Sequence, residues 1–230
     1  MISERIDAIR QRIDFACRRA GRSAADVTLI AVTKTLPAEA VRETVAAGTA
    51  DVGENYVQEL LAKRRQLEDV AIRWHFVGHL QSNKVRQIAE WIHLIHAVDS
   101  AGLFREIDRR AERAGRVIDC LIEVNTTGEG SKFGVRPDDV TMLVREAASC
   151  SHVRIAGLMT IGPFLPNPEG SRPMFRRLRE LRDEIRAMGQ SNVTMQHLSM
   201  GMTGDFEVAI EEGATLLRIG TAIFGPRIKA

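Results

Sequence analysis

Val27-Thr-Leu-Ile-Ala-Val-Thr-Lys-Thr-Leu-Pro37 carries an apolar, β-branched run straight into a lysine and then a proline. The first seven residues suit a buried strand. Pro37 suits the opening turn of a helix, so the stretch reads as one strand-to-helix unit with Lys34 at the junction. The same alternation repeats to the end of the chain. Strands are expected around 29–33, 51–53, 74–77, 94–98, 120–125, 154–159, 196–199 and 216–220. Helical periodicity fills 38–47, 57–67, 84–90, 102–114, 137–148, 172–188 and 205–212, after an amphipathic helix at about 4–20. Eight strand–helix units with no linker point to an α/β protein, a single (β/α)8 TIM barrel over residues 1–230 with an extra N-terminal helix. An open doubly wound sheet would carry glycines in its first turn, and Ala31-Val-Thr-Lys-Thr35 has none.

The totals bound the function. At 44% apolar and 27% charged, the 230 residues describe an ordinary globular protein. A formal net charge of +2 is too small for a nucleic-acid surface. The arginine-dense Phe175–Arg186 interleaves carboxylates and reads as a solvated helix face with i,i+4 ion pairs. Cys17, Cys120 and Cys150 are odd in number and widely spaced, which suits reduced thiols rather than disulfides or zinc. No apolar run reaches membrane-spanning length and the N-terminus lacks a signal pattern, so a cytoplasmic protein is expected. Lysine is scarce: five of 32 basic residues (34, 63, 84, 132 and 229), which makes one at a strand exit more notable.

Barrels place their sites at the C-terminal ends of the strands. The residues that emerge there are Lys34, Glu54-Asn55-Tyr56, His79, Asp99-Ser100, Asn125, Met159-Thr160, Ser199-Met-Gly-Met202 and Arg218-Ile-Gly-Thr221. Ser199, Gly201, Gly220 and Thr221 fit a phosphate cradle, because glycines admit backbone N–H groups and hydroxyls add donors. As ordinary turns with helix caps they would look the same. Arg218 shares a strand face with Leu216 and Gly220; if that face points inward, the guanidinium needs an acceptor, either a carboxylate such as Glu123 or a ligand atom.

An amine, a phosphate cradle and an arginine at one rim describe a pyridoxal 5′-phosphate (PLP) site. Lys34 would hold the cofactor as an aldimine. It must be neutral to attack, and free lysine is only about one part in a thousand neutral near pH 7.4. Burial and Arg218 would both favour the neutral amine. Arg218 opposite the pyridine nitrogen cannot accept a proton and would weaken the ring as an electron sink. The same lysine and phosphate site would also serve a cofactor-free Schiff-base aldolase.

Ala31–Thr35, Gly53–Tyr56, His75–Lys84, Gly157–Thr160, Leu198–Met202 and Arg218–Gly225, in this order over nearly the whole chain, resemble the pyridoxal phosphate homeostasis protein family. The resemblance implies a fold-type III PLP barrel, kin to the alanine racemase N-terminal domain. It implies PLP on Lys34, with Asn55, Ser199, Gly201, Arg218, Gly220 and Thr221 in the binding set. It further implies a role in intracellular PLP and amino-acid homeostasis without conventional catalysis, as a monomer whose partners could include PLP-dependent apo-enzymes. A racemase-like enzyme is the alternative. Against it stand a single tyrosine, Tyr56, and no room for the appended domain that carries a second base in alanine racemases.

Other signals carry less. His75 and His79 sit on a strand and its exit, where a spacing of four separates them by roughly 13 Å, so no metal site is expected. His93, His96, His152 and His197 read as packed or exposed. Gly128–Gly134 reads as a rim loop. Lys84 and Lys132, in polar sequence, are weaker imine candidates than Lys34. Met159, Met200 and Met202 could line a ring-binding wall or fill core.

Overall fold

The computed structural model describes residues 1–127, 133–163 and 165–226. Eight parallel strands close a barrel in sequence order: β1 (Thr28–Val32), β2 (Asp51–Glu54), β3 (Arg73–Phe76), β4 (Leu94–Val98), β5 (Ile118–Glu123), β6 (Val153–Met159), β7 (Val193–Ser199) and β8 (Leu216–Ile219). β8 returns to β1 with Thr28 opposite Leu216 and Ala31 opposite Ile219. Helices α1 (Ile2–Arg19), α2 (Ala38–Ala46), α3 (Val57–Gln66), α4 (Ala101–Arg113), α5 (Val140–Glu146), α6 (Arg172–Arg186), α7 (Phe206–Glu211) and α8 (Thr221–Phe224) lie outside or cap the strands. The barrel and its extra first helix are as the sequence leads one to expect.

Strand alternation sorts the apolar residues into two cores. Ile30, Leu94, Leu121, Ala156, Met159 and Leu216 belong to a small cluster inside the barrel. Leu29, Ala31, Trp74, Phe76, Leu217 and Ile219 face the other way, into the larger layer beneath the helices. Leu216 inward and Leu217 outward put Arg218 on the inner face.

Three local expectations change. Residues 84–90 form no regular α-helix; Ser82–Gln87 is 3-10 helical instead. Its apolar positions Val85, Ile88, Ala89 and Ile92 are all buried, so the period was legible. The hydrogen bonds nevertheless close in separate turns on Val85 and Ile88. The short α8 after β8 was not anticipated. The arginines of α6 pair mostly across elements: Arg172, Arg176 and Arg179 all reach Glu212, just past α7. That follows from α6 burying Phe175, Leu178, Leu181 and Ile185, which turns its arginine edge toward α7.

α1 precedes every strand yet packs on the last two helices. Ile6, Ile9 and Ile13 form its buried stripe. Arg12 lies 4.6 Å above the Phe206 ring and bonds Glu207 at 2.7 Å, and Arg5 donates to the Ile223 carbonyl at 3.1 Å.

Candidate functional site

The turn after β1 is built for Lys34. Thr35, a non-glycine residue, is held at φ 65°, where a side chain strains the backbone. Its N–H donates to Glu59 Oε2 at 2.7 Å, and its hydroxyl donates to the Lys34 carbonyl at 2.6 Å. Behind the turn lies a buried ion pair between β2 and α3. Lys63 Nζ donates to Glu54 Oε1 at 2.5 Å and to the Thr33 carbonyl at 2.7 Å, while the Thr33 hydroxyl bonds the same Glu54 oxygen. Burial pushes the Glu54 carboxyl above its ordinary value in spite of Lys63. Sequence reading missed this clamp. The signal was present, since a glutamate ending an apolar strand and a lysine on the buried stripe of the next helix must find partners.

Lys34 is half-buried and lines a cavity of about 470 Å³ at the C-terminal mouth of the barrel. Asn55, Arg218, Gly220 and Thr221 share its wall, with the loop Met202–Asp205. The volume is that of a small-molecule site. Asn55 Oδ1 is buried with no hydrogen-bond partner among the described residues.

Arg218 enters from β8, 5% exposed. It donates to Ser199 Oγ and, at 2.7 Å, to the Thr160 carbonyl. Burial, partly offset by Glu123 and Asp205, lowers its guanidinium to about 10, still charged at neutral pH. No carboxylate among the described residues comes within 4.0 Å of it, so Glu123 is a neighbour and not its ion-pair partner.

Two residues of the expected phosphate cradle stand off the cavity wall. Ser199 is fully buried at the end of β7, its hydroxyl turned inward to Arg218 and His96. Gly201 is likewise buried, at φ 93°, where a Cβ would sit 2.6 Å from the Ala209 methyl. It shapes the loop against α7. Thr203 and Asp205, absent from the expected set, do line the cavity. Asp205 accepts the Met202 N–H at 2.7 Å and the Ser171 hydroxyl at 3.1 Å; Thr203 Oγ1 accepts the Ala222 N–H at 3.2 Å, tying the last two loops together. An aspartate at the head of a helix was the available clue.

Met202 lines the cavity, Met159 fills the inner core and Met200 the outer one. Lys84 is half-buried in the 3-10 segment, off the cavity wall; Lys132 and most of the 128–134 loop lie outside the described residues. His79 stacks on Phe133 at 4.3 Å and approaches Asp99 at 3.4 Å, far from any role with His75. Ligand atoms of Asp51, His75 and His93 lie within 4.8 Å of one another. The Arg73 guanidinium already takes both Asp51 oxygens, at 2.8 and 2.5 Å, which supplies that carboxylate with its cation.

The architecture is that of the alanine racemase N-terminal domain, whose family model matches residues 5–227. An alanine racemase of Clostridium difficile 630 superposes with a TM-score of 0.73 at 11% identity, over 95% of this chain and 56% of that one, a likeness of fold alone. Sequence relatives narrow the class. The pyridoxal phosphate homeostasis protein of Aquifex aeolicus (strain VF5) is 48% identical over 224 residues, 97% of each chain. The PLP-bound structure of PipY from Synechococcus elongatus PCC7942 is 34% identical with a TM-score of 0.85, covering 98% of this chain and all of that one. The chain belongs to the pyridoxal phosphate homeostasis protein family.

Proposed function

We propose that this protein binds PLP in the cavity beneath Lys34, holds it there as an aldimine, and serves intracellular PLP and amino-acid homeostasis without conventional turnover. The observation that carries this is the convergence of Lys34, Asn55, Arg218, Gly220 and Thr221 on one cavity. The PLP-bound relative supports the choice of ligand. Bound PLP would supply an electrophilic carbonyl for an amine. Among the described residues, Lys34 is the only lysine on the cavity wall. Gly220 and Thr221, at the head of α8, with the Met202–Gly204 loop, would take the phosphate; Arg218 would face the ring nitrogen. Ser199 and Gly201 support that wall from behind.

The subdued chemistry follows from Arg218, which donates and cannot accept a proton. The single tyrosine, Tyr56, is 55% exposed and off the cavity wall, so among the described residues no tyrosine stands across from Lys34 as a second base. We place the protein in the cytoplasm as a monomer, passing PLP to PLP-dependent apo-enzymes. No helix among the described residues is long and apolar enough to cross a membrane.

The test is spectroscopic. Purified protein incubated with PLP should gain the absorption of a lysine-bound cofactor, and borohydride should fix it to Lys34. Lys34→Ala should lose the covalent adduct. A wild-type protein that gains no such band defeats the proposal. Sustained α-proton exchange of L- or D-alanine at ordinary enzyme rates would replace the carrier reading with a racemase-like one.

A further inference from the structure

A line of buried polar groups crosses the barrel interior from one mouth to the other. Asp51, the first residue of β2, lies at the N-terminal mouth; Arg218 lies at the C-terminal one. Between them the contacts are Asp51 Oδ1 to His75 Nε2 at 3.0 Å, His75 Nδ1 to His96 Nε2 at 3.0 Å, and His96 Nδ1 to Ser199 Oγ at 2.9 Å. His75, His96 and Ser199 are 2%, 0% and 0% exposed. Each link therefore has to be satisfied inside the protein.

The chemistry of the two ends fixes the direction of every bond. A guanidinium only donates, so Ser199 Oγ accepts from Arg218. The serine proton then goes to His96 Nδ1. A neutral imidazole that accepts at Nδ1 carries its proton on Nε2, which points at His75 Nδ1. His75 must accept there and donate from Nε2 to Asp51, an ionised carboxylate that only accepts. The reverse polarity leaves the Ser199 hydroxyl proton without an acceptor in the chain and sets an unprotonated His75 nitrogen against a carboxylate oxygen. Burial holds both imidazoles below their ordinary value, so both are neutral as the chain requires. Asp51, with burial outweighed by His75 and Arg73, is held at about 2. His93, edge-on to His75 at 5.1 Å, and Arg73 also face that end, with His197 acting on His96 and Asp119 and Arg116 acting on His93.

We infer that His75, His96 and Ser199 are positioning residues for Arg218, a one-way hydrogen-bond chain anchored on Asp51 that fixes the guanidinium facing the cavity. With the Thr160 carbonyl as second acceptor, the chain lets a cation be buried without a carboxylate in contact. Arg218 has no proton to give at neutral pH, so the chain orients and does not conduct. Its effect on cofactor binding rests on the reading of the cavity as the PLP site.

Long-range ¹H–¹⁵N correlation of histidine-labelled, cofactor-free protein tests the chain independently of that reading. Both His75 and His96 should appear as neutral Nε2–H tautomers, unchanged from pH 6 to 8. An Nδ1–H tautomer at either residue, or titration in that range, overturns the proposal even if PLP binds normally. For the positioning role, Ser199→Ala should weaken PLP binding about tenfold, the size of one lost hydrogen bond to a charged group. It should also shift the bound cofactor's absorption, while Ser199→Thr keeps the affinity within about twofold of wild type. Ser199→Ala protein with unchanged affinity and spectrum overturns that role.

Discussion

Glu123 ends β5 on the inner face, two positions beyond Leu121, and belongs to the same mouth as Arg218. Burial and the nearby Asp99 raise its carboxyl to about 7, with Arg218 only partly opposing. A carboxyl whose folded value lies above its ordinary 4.5 keeps its proton in the folded state between those two values. Its contribution is therefore fully present below about 4.5 and lost as pH rises through 7. Glu123→Gln should leave stability unchanged at pH 4.5 and raise it by about 2–3 kcal/mol at pH 8, read from denaturant midpoints. Single residues were legible in sequence where one rule decided them. Lys34 ends an apolar strand, and Arg218 breaks one at an inward position. Ser199 was not, because alternation gives the face a residue takes and not its depth along the barrel. His96 had the same signature as Arg218, a polar group inside an apolar strand, but no single-residue argument names a partner on β7, 103 positions away.

At the scale of elements, the cavity depends on how closely neighbouring strand exits approach. A Cβ on Gly78, just past β3, would lie 2.3 Å from the Asn55 carbonyl oxygen and 2.8 Å from its Cα. Only backbone stands there, so nothing flexible can yield. Gly78→Ala should displace Asn55 and cost about 2 kcal/mol or more of stability. It should also weaken PLP binding several-fold, checked by thermal unfolding and by titration with the cofactor. Element type and order were readable from periodicity alone, which is why every strand falls close to its expected span. Elements set by packing were not. The 3-10 segment keeps the helical apolar period without the helical ladder, and α8 is too short to show a period. The arginines of α6 show the same limit: spacing pairs charges within a helix, whereas the fold pairs them with Glu212 beyond α7.

For the whole molecule, the polar thread through the barrel predicts its response to acid. His75 and His96 are neutral when folded and take up protons when unfolded below about 6.5, so the unfolded state binds more protons there and stability falls as pH drops. Asp51 adds a second loss between its ordinary 3.8 and about 2. Glu123 and Glu54, whose carboxyls burial raises, act the other way over the same range, so the histidine contribution is read by difference: in equilibrium unfolding, replacing His96 with Leu should make the change from pH 7 to pH 5 less unfavourable than in the wild type, even where it lowers stability at pH 7. The barrel class was open to sequence because closure follows from counting strand–helix units; the thread was not, since it joins residues from five strands that only closure brings together. Closure also orders events in time. α1 is made before any strand, but the surfaces that cover Ile6, Ile9 and Ile13 include α7 and α8, and β1 needs β8 as one of its two neighbours. A chain still emerging from the ribosome therefore holds its first helix without its last partners. A release of the nascent chain before Phe206 would leave that greasy stripe as a natural handle for chaperones or proteases.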